Sequence, residues 1–275
     1  MKATAIEKIA AAGFALLFLA SGCAALSSNA RPFRFVILGD RTGEAQPGVF
    51  EQIWRETTAL RPSIALSIGD SIQGLDDVTA QQEWESWRKI VTVNPPLSLW
   101  IAPGNHDIWS TRSEQLFRQY AGHAPHYSFD YEQVHVTVLD NSRTENFSSA
   151  ELAFLRSDLA AHAKQPVKFI VSHRPSWLLH VVFSNPDFPI QQLAKQYGVR
   201  YVIAGHVHQL LHQDLDGVMY MSVQSAGGHL RASKKYEDGW FFGYTIVDVD
   251  GTDVRFAIKE TGNPSCRAIP RRSPL

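Results

Sequence analysis

The residues able to do chemistry sit at the ends of apolar runs. Phe35-Val36-Ile37-Leu38-Gly39 ends in Asp40, and Ile64-Ala65-Leu66-Ser67-Ile68-Gly69 ends in Asp70. Leu97-Ser98-Leu99-Trp100-Ile101-Ala102-Pro103 leads to Gly104-Asn105-His106-Asp107. Phe169-Ile170-Val171-Ser172 leads to His173, and Tyr201-Val202-Ile203-Ala204-Gly205 leads to His206-Val207-His208. Each run reads as a buried strand entering a tight loop. In open α/β sheets, sites assemble outside the carboxyl ends of the strands. Two Asp, one Asn and several His projected there form a site for hard to borderline cations. Singly, each stretch has an ordinary reading, since Gly104-Asn105 is also common turn chemistry. The five together point to one metal site.

The intervening segments must position these ends. Residues 48–60 place Val49, Ile53, Trp54, Thr57 and Leu60 near one helical face, and Pro62 stops them. Residues 81–91 read as a second helix whose Trp84 and Trp87 face the core. The first half is thus β-α-β-α-β, the pattern of a mainly parallel sheet. Strands follow at 127–129 and 134–139; His135 lies on a strand face, His126 lies at the surface, and neither takes a role. Residues 148–163 form a helix capped by Ser148 or Ser149, with Leu152, Leu155 and Leu159 along one face. Residues 174–189 read as a loop over the site, and 190–197 as a short helix stopped by Gly198. Antiparallel strands are expected at 209–215, 218–224, 240–249 and 253–258, with a hairpin at Asp250-Gly251. From Thr261 the chain reads as a frayed tail.

Composition is that of a globular protein with one sizeable core: 275 residues, 44% hydrophobic and 19% charged. The formal net charge of −1 gives no global basic field for nucleic acid or an anionic membrane.

The N-terminus differs from the rest. Lys2 and Lys8 precede an apolar run from Ile9 to Ala20, too short for a comfortable membrane span and suited to a signal-peptide core. Leu19-Ala20-Ser21-Gly22-Cys23 resembles the bacterial lipobox, which implies cleavage before Cys23 and its lipidation. The alternative is an ordinary signal peptide cut near Ala25 or Ala30. Cys266 is the only other cysteine, so a Cys23–Cys266 bridge is the alternative to a lipid on Cys23. Ala24 after the Cys resembles outer-membrane rather than inner-membrane sorting. The expected divisions are a signal peptide at 1–22, anchor and tether at 23–32, a catalytic domain at 33–260 and a flexible tail at 261–275. The expected location is outside the cytoplasm, lipid-anchored to a bacterial membrane and facing the periplasm.

In their order, Asp40-Arg41-Thr42, Gly69-Asp70, Gly104-Asn105-His106-Asp107, His173 and Gly205-His206-Val207-His208 resemble the blocks of the calcineurin-like metallophosphoesterase family. The resemblance spans about residues 33 to 210. It implies a four-layer αββα sandwich of two mixed sheets flanked by helices. It implies a metal-dependent phosphoesterase that hydrolyses a phosphomonoester or phosphodiester by attack of metal-bound hydroxide. One metal would take Asp40, Asp70 and His208; the other would take Asp70, Asn105, His173 and His206. Mn, Zn and Fe all suit these donors. Asn105 would also face substrate, and His106 would protonate or stabilise the leaving group. Asp107 reads as structural or as a support behind the metal ligands. Arg41 is a candidate phosphate contact, or else pairs with a carboxylate. The expected partners are a small phosphate ester and, through the lipid, a membrane.

One position departs from the pattern: Thr42 stands where the family has a metal-binding His. Three outcomes are open there. The first metal keeps three protein ligands and extra water, or Glu44 or His229 substitutes, or only one metal binds. The last would make the chain a catalytically weak metal- or phosphate-binding protein on the same fold.

Overall fold

The computed structural model describes residues 31–93 and 97–269. The expected signal peptide, Cys23 and most of the expected tether lie outside them.

Alternation along β1 (Phe33–Leu38) sets the layering. Phe35 and Ile37 enter a core shared by two sheets, while Val36 and Leu38 pack beneath helices. Chain order continues with α1 (Val49–Ala59), β2 (Ile64–Ser67), α2 (Ala80–Val91), β3 (Ser98–Ile101), α3 (Thr111–Ala121), β4 (Tyr127–Tyr131) and β5 (Val134–Val138). It goes on through α4 (Ser149–Ala161), β6 (Val167–Val171), α5 (Leu178–Val182), α6 (Pro189–Tyr197), β7 (Tyr201–Ala204), β8 (Leu211–Leu215) and β9 (Val218–Ser222). The last strands are β10 (Gly243–Asp250), β11 (Asp253–Glu260) and β12 (Cys266–Ala268).

The strands form two six-stranded mixed sheets, ordered β12-β11-β10-β1-β2-β3 and β4-β5-β6-β7-β9-β8. β1, β2 and β3 run parallel, as do β5, β6, β7 and β9. Between the sheets Phe35 meets Phe169 edge-on at 5.6 Å, amid Leu66, Val136, Val171 and Val247. Each large side chain buried this way is worth about 1.5–3 kcal/mol. Helices α1 to α3 cover the outer face of the first sheet and α4 to α6 that of the second. The architecture is the αββα sandwich.

The helices follow local rules. In α1, Phe50, Ile53, Trp54 and Thr57 are buried at helical spacing. Ser148 caps α4 by accepting from Glu151 N, and Gly198, in the left-handed region, closes α6. Trp84 and Trp87 are core residues.

The structure differs from the sequence expectation in three places. Helix α3 has no counterpart above: its first turn is polar, and its cap is a Ser110/Ser113 reciprocal pair rather than the commoner Ser–Glu box. Part of the 174–189 loop is helical, as α5. The chain beyond Thr261 is not wholly frayed, because β12 pairs with β11, Ile258 opposite Arg267; a three-residue edge strand carries too little pattern to be seen in sequence.

Candidate metal centre

Asp40 follows β1, Asp70 follows β2, Asn105 and His106 follow β3, His173 follows β6, and His206 and His208 follow β7. All are carried by parallel strands, so all leave the sandwich at the same edge. Four of them are non-glycine residues with positive φ: Asp40 at 55°, Asp70 at 56°, His206 at 68° and His208 at 61°. Such conformations cost about 1–3 kcal/mol each and persist where surrounding structure enforces them. The turns pack backbone against backbone. A Cβ at Gly104 would stand 2.2 Å from Asp70 N, so only glycine fits beside that carboxylate.

The backbone also aims the carboxylates. His106 N donates to Asp70 Oδ1 at 3.0 Å, and His206 N donates to Asp40 Oδ1 at 2.9 Å. Imidazoles are fixed through their other nitrogens. His173 Nδ1 meets Ile68 O at 2.9 Å and His208 Nδ1 meets His229 O at 2.7 Å, leaving each Nε2 for the site. His106 Nδ1 is held by Gln73 O at 2.6 Å.

Two ligand clusters result. Around His173 Nε2 stand Asp70 Oδ2 at 3.2 Å, Asn105 Oδ1 at 3.1 Å and His206 Nδ1 at 3.2 Å. Ligand atoms about 2.1 Å from one ion are separated by about 3.0–3.4 Å, so this spacing suits a single cation. Asp40, Asp70 and His208 form the second group, and Asp70 belongs to both. Asp40 supplies an independent sign of fit: it is fully buried, and its Oδ2 has no hydrogen-bond partner among the described residues. A buried carboxylate oxygen without a donor calls for a cation.

Electrostatics agree. Burial pushes the Asp40 carboxyl up, with the neighbouring charge of Asp70 adding to it against His208 and His173. Burial also works against ionisation of Asp70, but His173 and His106 outweigh it and hold that carboxyl below the usual range. The His173 imidazole, which burial alone would lower, is pushed up to about 9 by Asp70 and Asp40. His206 is held down to about 3 by burial and by the charges of His173 and Arg174.

Asp107 is structural. Its Oδ1 accepts from Ser71 N at 2.8 Å and its Oδ2 from Gly104 N at 2.9 Å, tying the β2 and β3 loops together. Burial and the Asp70 charge push its carboxyl up to about 6. Arg41 is used within the fold: Nη1 donates to Ser71 O at 3.0 Å and the guanidinium lies over the Phe50 ring. Burial lowers the Arg41 pKa, and against it the carboxylates of Glu51, Glu83 and Asp107 add to these contacts through their charge. Glu44 and His229 face each other at 3.7 Å, both exposed, and neither belongs to the cluster.

Two neighbours went unmarked in the sequence. Arg174, directly after His173, brings Nη1 to 3.4 Å from His206 Nε2 and pairs with Glu145. Gln73, three residues after Asp70, holds His106 with its carbonyl and accepts from Thr42 Oγ1 with its side chain. Direct adjacency to His173 was the only signal for Arg174, and a place in the loop after Asp70 the only one for Gln73.

A third group, Asp130, His135 and His162, lies between the β4–β5 pair and α4. His135 has a carboxylate on each nitrogen, Asp130 at 2.7 Å and Asp158 at 2.9 Å. Its ring stacks on His162 at 4.0 Å and 18°. Near-parallel rings do not converge their lone pairs on one ion, and the group is a hydrogen-bonded clamp.

A strand-end edge that shares one carboxylate between two ligand sets defines the class of folds with a dinuclear metal site. Within that class the chain belongs to the calcineurin-like phosphoesterase family, whose model matches residues 33–210. It is 23% identical over 187 residues to purple acid phosphatase 23 of Arabidopsis thaliana, covering 58% of this chain and 41% of that protein. The structure is similar to that of a purple acid phosphatase from yellow lupin (Lupinus luteus) seeds, with a TM-score of 0.65 and 16% identity, covering 88% of this chain and 53% of the other. It is also similar to GAP50, the anchor in the inner membrane complex of Plasmodium, with a TM-score of 0.60 and 13% identity over 88% and 90% of the two chains. The chain thus spans about half the length of the purple acid phosphatases it matches. One fold serves a protein named as an enzyme and one named as an anchor, so turnover must be argued from the site.

Proposed function

We propose that this protein is a metal-dependent phosphoesterase acting on a small phosphomonoester or phosphodiester, exported and lipid-anchored through Cys23. The observation that carries the catalytic reading is Asp70, shared by two ligand clusters with His106 alongside. Two divalent ions there, of Mn, Zn or Fe, would supply charge neutralisation at phosphate and an activated water. The chain's own residues do the rest. Asn105 and Asp70 hold the edge of the second cluster, and His106, braced through Nδ1, offers Nε2 to the ester oxygen as it leaves. Arg174 stands beside His206 as a guanidinium suited to a phosphate oxygen.

A second reading, a metal- or phosphate-binding protein with little turnover, rests on Thr42 alone. Metal per chain and turnover separate them. Chelator-stripped protein is reloaded and assayed on p-nitrophenyl phosphate and bis-p-nitrophenyl phosphate. Two ions per chain with hydrolysis that chelation abolishes is the expected result. Bound metal without hydrolysis of either ester favours the second reading, and hydrolysis that survives complete metal removal overturns the first.

A further inference from the structure

The loop between β5 and α4 grips Arg174 along its length. Buried Asn141 donates through Nδ2 to Arg174 O at 2.8 Å, and its Oδ1 accepts from Arg174 N at 3.1 Å. Ser142 O accepts from Arg174 Nε at 3.4 Å, and Ser142 is itself pinned, its N donating to Asp140 Oδ1 at 2.9 Å. Backbone and stem are thus fixed, and the Arg174 side chain is only 17% exposed. At its tip Nη1 stands 3.4 Å from His206 Nε2 and pairs with Glu145. Glu145, by contrast, is 73% exposed. Arg143, the cation nearest to it in the chain, is taken by Glu114 at 3.0 Å. A fixed guanidinium beside the metal centre therefore carries a carboxylate that can leave easily, since ion pairs open to solvent hold weakly.

We propose that Glu145 determines specificity: by pairing with Arg174 it turns the site towards phosphodiesters. The inference rests on the phosphoesterase reading above and deepens it, naming the singly charged ester as the substrate class. A diester carries one negative charge, whereas a monoester above its second pKa of about 6 carries two. Glu145 cancels the charge that Arg174 brings to the cleft. Coulomb energy scales with the charge of the ligand, so one carboxylate at the rim repels a dianion twice as strongly as a monoanion. Glu145 thereby penalises the monoester more than the diester. Arg174 carries the effect, because it is the group that touches both Glu145 and the ring of His206.

The test uses metal-loaded full-length protein at about pH 8, where inorganic phosphate is a dianion and dimethyl phosphate a monoanion. Their binding is read by calorimetry, and kcat/KM is measured on p-nitrophenyl phosphate and bis-p-nitrophenyl phosphate. Wild type should hydrolyse the diester. Glu145→Gln should raise the monoester-to-diester ratio of kcat/KM by about 3–10-fold and tighten inorganic phosphate more than dimethyl phosphate. Glu145→Asp, which keeps the charge, should stay close to wild type. In an Arg174→Ala background, Glu145→Gln should leave the ratio unchanged. The Glu145→Gln comparison decides alone should Arg174→Ala fail to fold. Hydrolysis by wild type with an unchanged ratio and unchanged phosphate affinities in Glu145→Gln overturns this inference and leaves the phosphoesterase reading standing. A shift that persists without Arg174 overturns it too, as does a wild type that hydrolyses the monoester alone. A metal-loaded wild type that hydrolyses neither ester overturns both.

Discussion

His173 Nε2 stands 3.2 Å from Asp70 Oδ2, with both side chains buried, although one ends a strand of the second sheet and the other a strand of the first. The pair couples metal binding to protons. With its pKa raised to about 9, metal-free His173 carries a proton at neutral pH, and a cation must displace it. Affinity for the second-site ion should therefore rise about tenfold per pH unit from about pH 7 to 9 and then level off. Calorimetry in buffers of different ionisation enthalpy should find about one proton released per ion at pH 7.5. A flat profile would show that His173 is neutral before metal arrives.

Thr42→His places an imidazole where Thr42 meets Gln73. Affinity at the first site should rise, and its Zn2+-to-Mn2+ ratio should shift towards Zn2+, because a nitrogen replaces oxygen. Asp70→Asn is the opposite control and should weaken both ions, since Asp70 belongs to both clusters. Full metal content and activity in Asp70→Asn would remove the shared-carboxylate scheme.

His106→Ala should lower kcat by about 10²–10⁴. Metal content should stay normal, because the backbone N of residue 106 still donates to Asp70 Oδ1. Loss of metal together with activity would make His106 a ligand instead. The two readouts are metal analysis and steady-state kinetics on one preparation.

The His135 clamp predicts a pH-dependent stability unrelated to metal. Burial lowers the His135 pKa, but Asp158 and Asp130 outweigh it, and the net direction is up. A raised folded pKa gives stability that is fully present below the unfolded value of about 6.5 and lost as pH rises through the folded value. Asp158 and Asp130 are shifted down, so their stability is lost in acid. Asp158→Asn should cost about 1–3 kcal/mol and flatten the loss above pH 6.5, since it removes the buried one of the two carboxylates that hold the imidazolium and leaves only half-exposed Asp130 on Nδ1. Half-exposed Asp130→Asn should cost about 1 kcal/mol or less. Denaturation in urea at pH 6 and 9 measures both, and equal pH slopes in wild type and Asp158→Asn would contradict the clamp.

Cys23→Ser should release the protein from the membrane fraction or block its processing. Fractionation with mass analysis of the N-terminus reads both. Unchanged processing and membrane association would exclude the lipid on Cys23.

The sequence by itself determined the donors and the scaffold that presents them. Apolar runs ending in Gly39-Asp40, Gly69-Asp70, Gly104-Asn105, His173 and Gly205-His206 encode strands whose loops share an edge, because burial and turn chemistry are short-range and leave a pattern. The division of those ends between two ions came from the family resemblance and from no local pattern, for it depends on which strands neighbour across two sheets; β1 to β3 supply one side of the centre and β6 and β7 the other. Tertiary structure alone turned Arg41 onto Ser71 O and Phe50, set Arg174 beside His206, and joined Thr42 to Gln73. The contacts to Ser71, His206 and Gln73 join loops about 30 residues apart in the chain, and their energy appears only once the sandwich has brought them within hydrogen-bonding reach. No local pattern can carry that information.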